Sequence, residues 1–192
     1  GMQLKTIVLA LLGVAAGAAA AFVMLPGNGT RIPAQGTAVE SGKALIGGPF
    51  TLTDHTGKRV TEKDYLGRPT LIFFGFTNCP DICPSGLQVI SAALDKLGEK
   101  GAKVTPLFIT LDSARDTPEK LSEYVKSFHP RLIGLTGSEA ELATAAKAYR
   151  VYAQKVSEDA TPGSYTYDHA AIIYLMGADG TFITHIPHTT NV

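Results

Sequence analysis

Residues 71–84 read Leu-Ile-Phe-Phe-Gly-Phe-Thr-Asn-Cys-Pro-Asp-Ile-Cys-Pro and contain both cysteines of the chain, Cys79 and Cys83. The apolar run at the start of this segment predicts a strand that is buried on both faces of a sheet. The amphipathic segment 84–97 follows and predicts a helix, because apolar residues recur there at helical spacing and proline suits a first helical turn. The cysteines are therefore expected in a loop at a helix N-terminus, where the helix dipole favours thiolate over thiol.

Strands and helices alternate along the rest of the chain, which predicts an α/β sandwich with a mixed central sheet flanked by helices. A hairpin with its turn at Gly57 comes first. The polar loop 157–168 is expected to deliver His169 to the start of a strand that runs antiparallel to the cysteine strand and beside it. The other predicted strands are 104–111, 132–135, 151–156, 170–176 and 181–186, and two further helices are expected after Thr117 and Ser138.

The N-terminal part of the chain differs in composition from the rest. Residues 1–5 are interpreted as a short cytoplasmic end, in which Gly1 is a cloning remnant. Residues 6–25 carry no charge and are long enough for a transmembrane helix, with a cleaved signal peptide as the alternative. Residues 26–48 are rich in Gly, Pro, Ala and Thr and predict a flexible tether. Residues 49–192 are then expected to form the folded domain.

The distribution of charged residues predicts the location of this domain and argues against nucleic acid as a partner. Lys5 precedes the apolar segment, which predicts a cytoplasmic N-terminus and a single-pass protein of the inner (cytoplasmic) membrane. The soluble domain is then expected to face the periplasm. Lysine plus arginine equals aspartate plus glutamate, at 17 each, so no basic field attracts nucleic acid.

Two cysteines allow one metal site, one redox pair or one disulfide. The thiolates of Cys79 and Cys83 with the imidazole of His169 would form a soft trigonal site suited to Cu(I), and to Cu(II) if a further weak ligand joins. Zinc is the second choice of metal, because it needs a fourth ligand such as water or Asp168. A dithiol redox pair stays open, although the spacing is one residue longer than Cys-x-x-Cys. A structural disulfide also stays open, although it would close a loop of only about five residues.

Other polar residues are candidates for secondary roles. Asp168 could orient the neighbouring imidazole, and Asp81 could cap the helix or tune the thiols. His185 and His188 are candidates for a second metal site, for which exposed positions near the end of the chain are the alternative.

With these residues assembled, the chain resembles the SCO/SenC family of membrane-anchored copper proteins over nearly all of residues 49–186. The cysteine motif in 75–84 together with the distant pair Asp168-His169 is highly specific, whereas a bare Cys-x-x-x-Cys is not. The other matching segments are Arg115-Asp116-Thr117-Pro118-Glu119, Gly134-Leu135-Thr136-Gly137, Tyr174-Leu175 and Asp179-Gly180.

The resemblance implies a thioredoxin-like, peroxiredoxin-related fold, copper bound by Cys79, Cys83 and His169, and a role in assembling the dinuclear copper centre of cytochrome c oxidase. The implied partner is the copper-bearing subunit of the oxidase, with another periplasmic copper chaperone or thiol reductase as further candidates. The alternative is a thiol–disulfide reductase in which Cys79 and Cys83 are catalytic. Because the family has a C-terminal helix beyond the point where this sequence ends, at Val192, the domain is expected to lack that helix.

Overall fold

The computed structural model describes residues 45–157 and 164–191, which contain nine strands and three α-helices. The strands are β1 (Thr51–Asp54), β2 (Arg59–Thr61), β3 (Thr70–Gly75), β4 (Thr105–Thr110), β5 (Ile133–Thr136), β6 (Ala153–Ser157), β7 (Tyr165–His169), β8 (Ile172–Met176) and β9 (Phe182–Pro187). The helices are α1 (Ile82–Leu97), α2 (Pro118–Lys126) and α3 (Glu139–Ala148), and short 3-10 turns cover Glu62–Tyr65 and Gly101–Lys103.

Seven strands form one mixed sheet in the order β2-β1-β5-β4-β3-β8-β9. The neighbours β3, β4 and β5 run parallel, whereas β8 pairs with β3, and β9 with β8, in the antiparallel sense. The β1–β2 hairpin joins the sheet because β1 pairs antiparallel with β5. β3 is buried along its whole length, as a strand covered on both faces should be. The mixed central sheet predicted from the sequence is confirmed.

Each face of the sheet carries its own apolar core. Side chains alternate along a strand, so Ile72 and Phe74 point to one face of β3 while Leu71 and Phe73 point to the other. The first pair belongs to a buried cluster with the inner face of α3, and the second pair to a cluster with the inner faces of α1 and α2. The helices therefore cover both faces of the sheet, which makes a three-layer α/β sandwich of the thioredoxin type.

The ends of the helices follow the capping signals in the sequence. The side chain of Thr117 caps α2, and Ser138 and Glu141 form a capping box at the start of α3. α1 begins at Ile82, two residues earlier than predicted. Cys83 therefore lies inside the first turn of the helix and not in the loop before it.

The interpretation of residues 157–168 as a polar loop is wrong for their last part. Residues 165–168 form most of β7. This strand pairs antiparallel with β6 in a two-stranded sheet that is separate from the central sheet. His169 therefore ends β7 and does not begin β8, from which two alanines separate it. Because side chains alternate, Tyr165, Tyr167 and His169 share one face of β7.

The predicted cytoplasmic end 1–5, the transmembrane segment 6–25 and most of the tether 26–48 lie outside the described residues. Within the described part of the chain, no helix combines the length and the apolar character needed to cross a membrane. The last residues of the predicted tether are described and contact the domain. The carbonyl of Leu45 accepts a hydrogen bond of 2.9 Å from the Nε of Arg150.

Candidate metal centre

The segment after β3 places two thiols side by side. Cys79 is 8% exposed, and Cys83, in the first turn of α1, is 0% exposed. The backbone N–H of Cys83 donates a hydrogen bond of 3.3 Å to the Sγ of Cys79. Both cysteines are free thiols, so neither is committed to a disulfide.

The imidazole of His169 reaches these thiols from the end of β7. Its Nε2 lies 3.6 Å from the Sγ of Cys83, and its Nδ1 lies 3.2 Å from the carbonyl oxygen of Ala170. A carbonyl only accepts hydrogen bonds, so this contact assigns a ring proton to Nδ1, and Nε2 is the ring nitrogen that faces the sulfur. The ligand atoms of Cys79, Cys83 and His169 all lie within 4.8 Å of one another. The structure thus brings together the three residues that the sequence selected.

The two thiols have opposite acidities. The hydrogen bond from Cys83 lowers the pKa of the Cys79 thiol to about 4; partial burial opposes this shift, and hydrogen bonds from His169 and from backbone N–H groups reinforce it. The same hydrogen bond, together with burial, raises the pKa of the Cys83 thiol above its ordinary value. The hydrogen bond between the two side chains therefore favours a thiolate on Cys79 over a thiolate on Cys83.

Asp116 fastens the start of the cysteine segment to the sheet. Its carboxylate is 0% exposed and accepts hydrogen bonds from the backbone N–H of Thr77 at 2.9 Å, from the Thr77 hydroxyl at 2.6 Å and from the Thr110 hydroxyl at 2.6 Å. Thr77 lies two residues before Cys79, and Thr110 ends β4. Asp116 was predicted only as part of a family motif, and this supporting role was not predicted. No local signal pointed to it, because Thr77 lies 39 positions from Asp116 in the sequence.

Gly75 allows the first turn of α1 to approach β3 closely. A Cβ at this position would lie 2.6 Å from the Sγ of Cys83 and 2.9 Å from the ring of Phe108. Atoms that are not bonded do not approach so closely, and both neighbours are fully buried and packed. The glycine is therefore part of the construction that holds Cys83 in place.

Replacing Gly75 with alanine is expected to lower the free energy of unfolding by about 1–3 kcal/mol, because the added methyl overpacks a filled core. Urea denaturation followed by circular dichroism measures this loss. Gly48→Ala is the control, since its new methyl would meet only the Ala148 Cβ, at 3.3 Å. A loss as large in Gly48→Ala as in Gly75→Ala would contradict the explanation by close approach to Cys83.

The secondary candidates from the sequence lie elsewhere. Asp168 is exposed and points to the face of β7 opposite to His169, so the carbonyl of Ala170 takes the orienting role that was predicted for Asp168. This placement also removes Asp168 as the fourth ligand of a zinc ion. In the described part of the chain, no third metal-ligating side chain joins His185 and His188, and the second site stays a prediction.

The donor set of the cluster fits a soft metal ion. It consists of two sulfurs and one imidazole nitrogen, and among the described residues no carboxylate belongs to it. Thiolate ligands favour Cu(I) and zinc over the hard cations. Metal bonds of about 2.3 Å to sulfur and 2.0 Å to nitrogen, the values for zinc, span up to about 4.3 Å, so two atoms 3.6 Å apart can share one ion. Fold and cluster together define a thioredoxin-like protein with a Cys2His group able to hold a metal ion.

Comparison with known proteins places the chain more narrowly. The sequence profile described as SCO1/SenC matches residues 38–192. The SenC protein of Rhodobacter capsulatus is 41% identical over 163 residues, which are 85% of this chain and 73% of SenC. The chain belongs to the SCO1/SenC family.

A longer relative and a solved structure agree with this assignment. SCO1 homolog 1 of Arabidopsis thaliana, a mitochondrial protein, is 50% identical over 144 residues, which are 74% of this chain and 42% of that protein. The chain thus spans less than half the length of this relative. The structure of Bradyrhizobium japonicum ScoI with copper bound matches with a TM-score of 0.71 and 49% identity, over 76% of this chain and 92% of that one.

Proposed function

We propose that this protein binds copper through Cys79, Cys83 and His169 and serves as an assembly factor for cytochrome c oxidase. The observation that carries the proposal is the convergence of two thiol sulfurs and an imidazole nitrogen within 4.8 Å, without a carboxylate among them in the described residues. Such a donor set suits Cu(I), and a further weak ligand would let it keep Cu(II). The ScoI protein of Bradyrhizobium japonicum, 49% identical, has been solved with copper bound.

Copper is the cargo in this proposal, and the redox state of the thiols controls its capture. Both cysteines must be reduced to bind, because oxidation to a disulfide removes two electrons and both sulfur ligands. Release follows by ligand exchange, in which thiolates of a partner replace Cys79 and Cys83 one after the other. Because the two side chains are only 8% and 0% exposed, the ion would be shielded from solvent before a partner docks.

The same proposal includes a protein that receives the copper and a location at the membrane. The family role implies the copper-bearing subunit of the oxidase as recipient, with a periplasmic copper chaperone or thiol reductase acting upstream. We assign residues 6–25 to a membrane anchor, residues 26–48 to the tether and residues 49–192 to a domain in the periplasm. The uncharged 6–25 segment and the preceding Lys5 support this arrangement.

A copper titration tests the proposal. The reduced protein is titrated anaerobically with Cu(I) against a competing chelator, and we expect one bound ion per chain, with none after the thiols are oxidised. His169→Ala should weaken the affinity by about ten- to a hundredfold, the scale of losing one interaction of 1.4–2.7 kcal/mol. His185→Ala, which removes an exposed histidine on β9, is the control and should bind like the wild type. Equal affinity in His169→Ala and His185→Ala would refute the ligand set.

A thiol–disulfide reductase is the second candidate. The observation that favours it is the lowered pKa of Cys79, about 4, beside the buried thiol of Cys83, an arrangement in which one sulfur attacks and the other resolves. Turnover of a disulfide substrate by the same variants separates the two functions. Undiminished turnover in His169→Ala, with negligible copper affinity in the wild type, would favour the reductase.

A further inference from the structure

The strand that carries His169 is not held by the central sheet. β7 pairs only with β6, and the two strands form a sheet of their own within the described residues. Tyr165, at the other end of β7, lies four residues before His169, or about 13 Å at the rise of a strand. The contacts that hold Tyr165 against the rest of the domain therefore influence the direction from which His169 approaches the cysteines.

A buried acid and an arginine hold Tyr165. The carboxylate of Asp112 is 1% exposed and accepts a hydrogen bond of 2.8 Å from the Tyr165 hydroxyl. The Nε of Arg115 donates to the other oxygen of the same carboxylate, and its Nη1 donates to the Tyr165 carbonyl at 3.0 Å. The guanidinium carbon also lies 3.8 Å from the centroid of the Tyr165 ring. One tyrosine is thus held at its hydroxyl, its ring and its backbone.

We propose that Asp112, Arg115 and Tyr165 form a clamp that positions His169 for metal binding. This proposal rests on the copper-binding function proposed above, because the clamp positions a residue that is a ligand only in that function. Asp112 and Arg115 follow β4, the strand next to the one that leads into the cysteine segment. The clamp therefore connects the strand that carries His169 to β4, which is the neighbour of the strand that leads to the cysteines.

The clamp stands apart from the packing that stabilises the domain. Within the described residues, Tyr165 belongs to neither apolar core, whereas its neighbour Tyr167 packs against the core that contains the cysteines. Charge-assisted hydrogen bonds to a buried carboxylate are geometrically demanding, so they fix orientation more than they add apolar burial. Loss of the clamp should therefore move His169 without unfolding the protein.

Tyr165→Phe removes the hydroxyl but keeps the ring, and Tyr152→Phe is its matched control. Tyr152 precedes β6, is 56% exposed, and donates its hydroxyl to Gln154 of the same pair of strands at 2.7 Å. In the metal-free protein, we expect amide hydrogen exchange along β7 to be three- to tenfold faster in Tyr165→Phe than in Tyr152→Phe. Exchange in α3 should be the same in both variants.

The copper readout uses a double-mutant cycle. Tyr165→Phe should weaken copper affinity three- to tenfold and reduce the nitrogen hyperfine coupling in the Cu(II) spectrum, which reports the imidazole. In the His169→Ala background, the same change should have no effect, because a positioning residue acts only through the residue that it positions. An additive loss in the double variant would overturn the clamp.

The two proposals fail in different ways. Unchanged hydrogen exchange along β7 in metal-free Tyr165→Phe overturns the clamp whatever the copper titration gives. Absence of copper binding by the wild type refutes the proposed function, while the exchange experiment still decides whether Tyr165 holds β7. A lowered unfolding midpoint in Tyr165→Phe, with exchange raised equally throughout the domain, would show a general structural role and would overturn the clamp as well.

Discussion

Replacing Asp116 with alanine is expected to lower the free energy of unfolding by about 3–5 kcal/mol, because several buried hydrogen bonds lose their acceptor at once. The Thr77 N–H and the hydroxyls of Thr77 and Thr110 all donate to this carboxylate, at 2.6–2.9 Å. The truncation also leaves a small cavity at a site that is 0% exposed. Urea denaturation of the reduced, metal-free protein measures the loss.

Asp116→Asn is the matched control and should cost only about 1 kcal/mol. The amide oxygen can accept from the Thr77 N–H and from Thr110, while the amide nitrogen donates to the Thr77 hydroxyl, which is able to accept as well as donate. The shape of the side chain is preserved. If alanine and asparagine destabilise the protein equally, the charge and not the hydrogen-bond pattern is what Asp116 contributes, and our account of the network is refuted.

The Asp116 variants should also differ in thiol reactivity. Thr77 begins the segment that carries Cys79, so freeing Thr77 should loosen that segment and expose the fully buried Cys83. Under native conditions, a thiol-reactive aromatic disulfide should modify Cys83 severalfold faster in Asp116→Ala than in Asp116→Asn. Identical rates would show that Thr77 does not control access to the pair.

Local signals in the sequence were sufficient for the central sheet and its helices. An apolar run such as 71–76 is too long and too uniform for a surface strand, and the caps at Thr117 and Ser138 depend only on residues three positions away. These features require no knowledge of distant parts of the chain. The mixed sheet and the helices after these caps were therefore predictable.

The separate β6–β7 sheet was harder to predict because its strands are polar. β6 was predicted, as the strand 151–156, although every residue of β6 is exposed; its partner β7 was the strand that was missed. In β7, Tyr165, Tyr167 and His169 alternate with Thr166 and Asp168, a period of two that was available as a signal. This alternation was not used, because the polar residues before it favoured the prediction of a loop over 157–168.

The supporting acids could not be recognised from local sequence. Asp116 meets Thr77 across 39 positions, and Tyr165 meets Asp112 across 53, so neither contact leaves a short-range pattern. A buried aspartate in sequence looks the same as one that caps a helix or faces solvent. The ligands themselves were predictable because cysteine and histidine carry distinctive chemistry, whereas the groups that hold them depend on the completed fold.

Phe76 makes contact with both halves of the candidate metal centre. It follows β3, is 2% exposed, and packs its ring 5.5 Å from that of Tyr167 and 5.8 Å from that of His169. The backbone carbonyl of the same residue accepts a hydrogen bond from the N–H of Cys79 at 3.2 Å. This one aromatic residue therefore joins the cysteine segment to the strand that delivers the histidine.

Phe76→Ala is expected to lower the free energy of unfolding by about 3–5 kcal/mol, the range for removing a buried aromatic side chain. Phe73→Ala is the comparison, since Phe73 is 0% exposed in the same core but packs on Phe108, away from the histidine. Urea denaturation should give similar losses for the two variants. Hydrogen exchange along β7 should accelerate beyond the global change only in Phe76→Ala, because only there does His169 lose its ring contact. Equal acceleration in Phe73→Ala would mean that core stability alone, and not the contact with Phe76, holds the histidine strand in place.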